Sequence, residues 1–201
     1  MNGTPLRRFL ERVADCAVVG LLVLIASLPL VTALAALTAG SATLGGEGSG
    51  SVPTRFLRAF RSALKRAVGP QLVVLGAFVI GLSDLAVGLH WAGRAAVPGW
   101  VIAPVLAVGL LLLLGAVVLP SYLAIIAGEH GGPASLGDAV VLAVGRPTAA
   151  AAVFGLGITL TAVGVLLPVT LPLLVGAHIQ FSRATILRSL SGPVRSLQPT
   201  P

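Results

Sequence analysis

Apolar positions in this sequence do not alternate with polar ones. They gather in long runs parted by short polar or glycine-rich stretches, and several runs reach the roughly 18 residues that can cross a bilayer as a helix. The first extends over residues 13–45, long for one crossing of about 20 residues and short for two. Pro29, in Ser27-Leu28-Pro29-Leu30-Val31-Thr32, lacks an N–H and clashes with the preceding turn, so a helix is expected to break there. Both flanks of the run are basic, and short basic segments stay cytoplasmic. Together these predict a hairpin or re-entrant pair turning at Pro29 to Thr32. A single kinked span would instead carry Arg7, Arg8 and Arg12 to the outside. The segment also has the basic start, apolar core and Ala33-Leu34-Ala35 of a secretory signal, but apolar sequence continues to Ala42 and Leu44, which argues for retention.

After a Gly/Ser-rich link at 45–53, residues 54–68 change character. On a helical wheel Phe56, Leu57, Phe60, Leu64, Ala67 and Val68 share one side, while Arg55, Arg58, Arg61, Lys65 and Arg66 share the other. This predicts an amphipathic cytoplasmic helix. Its apolar face either enters the headgroup boundary, with the cations on anionic lipid headgroups, or packs on the protein itself. Four further spans are expected at 71–91, 101–127, 148–167 and 168–187, with Pro104 and Pro120 as kink points and Trp91 and Trp100 at span ends. A short helix is predicted from Ser135 to Val144. The expected fold is therefore all-α: one membrane domain over 1–201, a polytopic transmembrane bundle of four clear spans plus the N-terminal Pro-broken hairpin, with both termini inside.

Composition narrows this further. At 56% hydrophobic and 9% charged, the chain falls far from the roughly 25% charged residues of soluble domains. The net charge of +7 would suggest nucleic acid in a soluble protein. Here the cations cluster beside the apolar runs, so the lipid bilayer is the expected partner and no nucleic acid is. The single Cys16 excludes a disulfide framework within the chain and a cysteine-based metal site.

The order of features, Ser27-Leu28-Pro29-Leu30-Val31-Thr32, then Phe56-x-x-x-Phe60-Arg61 in a basic helix, then four more apolar segments, with Arg146-Pro147 before the fourth apolar segment of the chain, resembles the YesL-like family. These are bacterial integral membrane proteins about 200 residues long whose domain has no assigned activity, and the resemblance runs from about Asp15 to Arg188. It implies residence in the bacterial cell membrane. Because such proteins are often encoded beside carbohydrate permeases, it also implies an accessory role in sugar uptake, with a sugar permease as partner.

Among candidate chemical groups, Asp84 is the one acid well inside a span, where a charge costs roughly 2.5 to 3.5 kcal/mol on insertion scales. It shares a helix face with Ala77, Gly81 and Gly88, which reads either as a packing groove around a neutralised carboxylate or as a proton- or ion-coupling site. His178 and Gln180 are candidate partners for it. Gly157, Thr161 and Gly164 form a second small-residue stripe for close helix contact. Glu129-His130-Gly131-Gly132 reads as a hydrated turn. No nucleotide-binding loop, nucleophile elbow or metal-ligand spacing is present, so neither enzyme activity nor a cofactor is expected. The alternative to an accessory protein is a small transporter or channel with a midplane site near Asp84.

Overall fold

The computed structural model describes residues 5–46, 50–93, 97–130 and 135–190, and among these every regular element is helical. Helix α1, Pro5–Ala26, starts at a proline, whose missing N–H costs nothing in a first turn. It begins eight residues before the expected apolar run, because the charged turn is helical too, with Arg7 donating to Glu11 at 2.9 Å. α1 stops ahead of Leu28-Pro29, where the residue before a proline disfavours helical geometry. A 3-10 turn, Leu30–Thr32, follows, and α2, Ala33–Gly45, returns antiparallel, with Gly40 lying against Val19 and Val23.

The backbone freed by this break is satisfied by two side chains. The Thr32 hydroxyl shares its proton between the carbonyls of Ala26 at 2.5 Å and Pro29 at 2.7 Å. Gln71, buried on the next helix, accepts from the Leu34 N–H at 3.1 Å and donates to the Leu30 carbonyl at 2.9 Å. An unpaired backbone group in such a place would cost about 1–3 kcal/mol.

Helix α3, Val52–Ala92, corrects one expectation. The amphipathic segment 54–68 and the span 71–91 are one continuous helix of 41 residues, with Pro70 inside it. Loss of a single donor is tolerated because the turns on both sides pack without interruption: Ala63, Ala67, Gln71 and Val74 are all buried. In the basic half, most of the apolar face packs on protein, with Leu57 left exposed. Phe56 packs with Val19, Val23, Ala36, Ala39 and Ile179 and stacks on Phe60 at 6.1 Å, while Ala63 and Ala67 join the main core around Tyr122 and Ile186.

Helix α4, Gly99–His130, runs antiparallel to α3 and passes Pro104 and Pro120 without ending. The α3–α4 contact uses the small-residue stripe: a Cβ on Gly81 would come within 2.8 Å of the Gly109 carbonyl, and one on Gly88 within 2.5 Å of Leu106. α5, Leu136–Gly145, is capped by the Ser135 hydroxyl, which accepts from Gly137 N at 3.1 Å. α6 is Pro147–Leu166. A second 3-10 turn, Pro168–Thr170, then leads into α7, Leu171–Leu190, so the last segment begins with a turn where a span from residue 168 is expected. Thr170 closes that turn as Thr32 closes the first, its hydroxyl donating to the carbonyl three residues back at 2.7 Å.

The closest crossing joins α1 to α7. A Cβ on Gly20 would strike the Pro172 carbonyl, and one on Gly176 the Cys16 carbonyl, so the two backbones touch. The register, 16 beside 176 and 20 beside 172, makes the helices antiparallel and brings the two 3-10 turns to the same end of the molecule. Both turns expose apolar side chains, with Leu30 at 66% and Val169 at 92%.

Helices α3, α4 and α6 are long and apolar enough to cross a membrane. Only 17%, 11% and 18% of their most apolar windows are buried within the protein, so most of that surface faces the surroundings. The chain is an all-α protein with the build of a multi-pass membrane protein.

Candidate functional site

Where α2, α4 and α7 meet, four polar residues point inward. Ser41, Ser121, His178 and Ser182 line a cavity of about 10 Å³ walled by Leu37, Ala124, Ile125 and Ile179. Ser41 and Ser182 are each 1% exposed. Among the described residues no partner reaches Ser41 Oγ, Ser182 Oγ or His178 Nδ1, nor the hydroxyl of buried Tyr122 nearby on α4. Buried hydroxyls of this kind are costly unless bonded, and the cavity is at the lower limit for a single water molecule. The arrangement can hold one small polar species between three hydroxyls and an imidazole. The α6 stripe serves this region: a Cβ on Gly157 would lie 3.6 Å from His178 Cε1, and Gly164 meets Leu171 and Leu174 of α7. The side chain of Thr161 lies outside the described residues.

One turn further along, Arg183 Nε donates to Glu129 Oε1 at 2.5 Å. Glu129 is therefore a helical residue in an ion pair between α4 and α7, where a hydrated turn is expected from the sequence. Gly131 and Gly132 lie outside the described residues, as does the side chain of His130.

The remaining candidates are dispersed. Asp84 is half-buried on α3 where it crosses α4, and a Cβ on Gly109 would be 3.0 Å from its Cβ. Among the described residues no hydrogen bond or ion pair to its carboxylate occurs. Gly109 and Ala124 stand 15 residues apart on α4, about 22 Å of rise, so Asp84 and His178 do not meet. The face around Asp84 is a packed helix crossing. Gln180 points to neither group; it lines a separate pocket with Arg12 and Arg55. Of the α3 cations, Arg58, Arg61, Lys65 and Arg66 are exposed, and Arg55 is half-buried with Nη1 donating to the Gly46 carbonyl at 2.6 Å. Among the described residues no three His, Cys, Asp or Glu side chains are placed to share a metal ion.

Gln71, Ser41 and Ser182 were not among the expected site residues. Gln71 alone carries a sequence signal, an amide directly after Pro70 in an apolar stretch. Comparison with protein-family profiles, with curated proteins and with solved structures finds no match to the chain.

Proposed function

We propose that the protein is a non-catalytic accessory subunit of the bacterial cell membrane that associates with a permease, and that carbohydrate uptake is the process it serves. The observation that supports this reading most directly is the surroundings of Asp84. A coupling carboxylate needs a cavity or a water path, whereas this one lies against Gly109 in a tight crossing between two helices. The wide uncovered apolar faces of α3, α4 and α6 suit lateral contact with lipid and with another membrane protein. A groove between α3, α4 and α5, lined by Val73, Ala77, Leu111 and Val140, offers a seat for a partner helix. In this reading α3, α4, α6 and α7 supply the crossings, and α1–α2 is the broken hairpin. The end carrying Arg12, Arg55 and Arg183 is cytoplasmic, as are both termini. α3, about 62 Å long by its rise per residue, is twice the thickness of a hydrocarbon core of about 30 Å, so part of it extends past the membrane, and its exposed cations Arg58, Arg61, Lys65 and Arg66 face anionic headgroups.

Affinity purification of the full chain from native membranes is expected to recover a carbohydrate permease, and deletion of the gene to slow uptake of that permease's sugar. Recovery of no permease, together with unchanged uptake, overturns the proposal. The transporter alternative is tested separately in reconstituted vesicles, where proton or solute flux lost on Asp84→Asn would favour it over the accessory reading.

A further inference from the structure

At the end of the molecule that gathers Arg12, Arg55 and Arg183, the helices leave a pocket of about 620 Å³, within the usual size range of small-molecule sites. Two of its walls are cationic, Arg12 from α1 and Arg55 from α3. Their electrostatic situation differs from that of the other paired arginines. Arg7 has Glu11 and Arg183 has Glu129, but among the described residues neither Arg12 nor Arg55 has a carboxylate within ion-pair distance. Arg55 is also fixed: Nη1 is held by the Gly46 carbonyl, and its Nε is buried with no partner among the described residues. A half-buried guanidinium compensated by one carbonyl favours an anion beside it, and a held guanidinium loses little freedom when one binds.

The rest of the lining specifies the anion further. Asp15 and Gln180 present a carboxylate and an amide, which bond hydroxyl groups. Asp15 would repel a second anionic group, so a single phosphate with neighbouring hydroxyls fits better than two. Val19, Leu44 and Val52 add an apolar wall at the root of the α1–α2 hairpin.

We infer that this pocket binds a phosphorylated polyol, a phosphate between Arg12 and Arg55 with its hydroxyls on Asp15 and Gln180. That chemistry is shared by the headgroup of phosphatidylglycerol and by soluble glycerol phosphate. The inference goes beyond a general attraction of the α3 cations to a lipid surface, because it needs Arg12 and Gln180 from other helices and excludes Arg58 and Arg61. It does not depend on the carbohydrate-uptake reading.

The test uses Cys16, the chain's only cysteine, which lines the pocket. The full chain in phosphatidylcholine micelles is treated with N-ethylmaleimide, with phosphatidylglycerol or glycerol 1-phosphate added in separate arms. The expected result is that one of the two slows Cys16 modification about tenfold, as a site with two charge-assisted contacts would. Slowing by lipid alone identifies the headgroup as the source, and slowing by glycerol phosphate identifies the soluble ligand. Protection should persist in Arg58→Gln/Arg61→Gln and vanish in Arg12→Gln/Arg55→Gln, with the ligand-free rate of Cys16 modification, unchanged from the parent chain, checking that the hairpin around the pocket stays folded in each variant. Gln180→Leu, which keeps both cations and the hold on Gly46, should weaken protection by the polyol phosphate while leaving that by phosphatidic acid unchanged. No slowing by either ligand overturns the inference, as does equal loss of protection in the Arg58/Arg61 variant or an equal effect of Gln180→Leu on both lipids.

Discussion

Five of the prolines in and between the apolar helices show two behaviours, one in each of two regions of the molecule. In the hairpins α1–α2 and α6–α7, Pro29 and Pro168 end a helix and redirect the chain. In the α3–α4 pair, Pro70, Pro104 and Pro120 sit inside helices that continue past them. Proline removes the same donor in every case, so the outcome is decided by what surrounds it. At both breaks a threonine follows within three residues and bonds the carbonyl three back, giving the backbone a closed 3-10 turn as an alternative to the helix. At Pro29 the freed groups also find Gln71. No threonine follows Pro70, Pro104 or Pro120 in this way, and these helices continue past them, packed along each other. A helix in an apolar setting breaks where another set of partners is ready for its backbone groups.

The two regions can be followed separately, because both tryptophans, Trp91 and Trp100, lie on α3 and α4 while Cys16 lies in the hairpins. The largest effect is expected from Gly176→Leu, whose side chain would enter the Cys16 backbone. Overpacking against main chain that cannot rotate aside should cost about 3 kcal/mol, seen as a lower thermal midpoint and fast Cys16 alkylation. Gly155→Leu, with open space around it, should change neither. Next, Gln71→Leu leaves the buried Leu34 N–H without its amide partner and takes one of two donors from the Leu30 carbonyl, which keeps the Ala33 N–H, and should cost about 2 kcal/mol, again reported first at Cys16. A loss that appeared equally early in tryptophan fluorescence would show the two regions to be one cooperative unit. Thr32→Val should cost about 1 kcal/mol, and Thr170→Val less, since the Thr170 turn is exposed. The smallest effect is expected at Pro120→Ala, which restores a helical donor to α4 and should leave the midpoint unchanged or slightly raised. A marked fall there would mean that α4 depends on a bend at Pro120.

The sequence carried one side of this contrast better than the other. The break at Pro29 was legible because an over-long apolar run and basic flanks both required a turn. The fusion of the basic helix with the following span was not: Pro70 read locally marks a boundary, and its tolerance depends on α2 and α4 packing along both sides. The face holding Gly81, Asp84 and Gly88 was legible as a helix contact from its spacing, and the structure fills it with Gly109 and Leu106. Which polar residues meet was illegible. Asp84, His178 and Gln180 all read as intramembrane polar groups, yet they belong to three places: Asp84 lies where α3 crosses α4 at Gly109, His178 faces Ser41 and Ala124, and Gln180 faces Arg12 and Arg55, and which helices meet at each level follows from packing that local spacing does not encode.

The Gln71 contact also has a consequence for biosynthesis. The carbonyl it serves belongs to Leu30, 41 residues earlier in the chain. At about 5–20 residues per second, a ribosome needs roughly 2 to 8 s to make that stretch. During this interval the turn of the first hairpin lacks its Gln71 contact, and the Thr32 hydroxyl and the turn's own backbone bonds hold the bend. The N-terminal hairpin is thus made first but finished second, when α3 arrives to lock it. A chain truncated before residue 71 would leave it open to the quality-control proteases of the membrane.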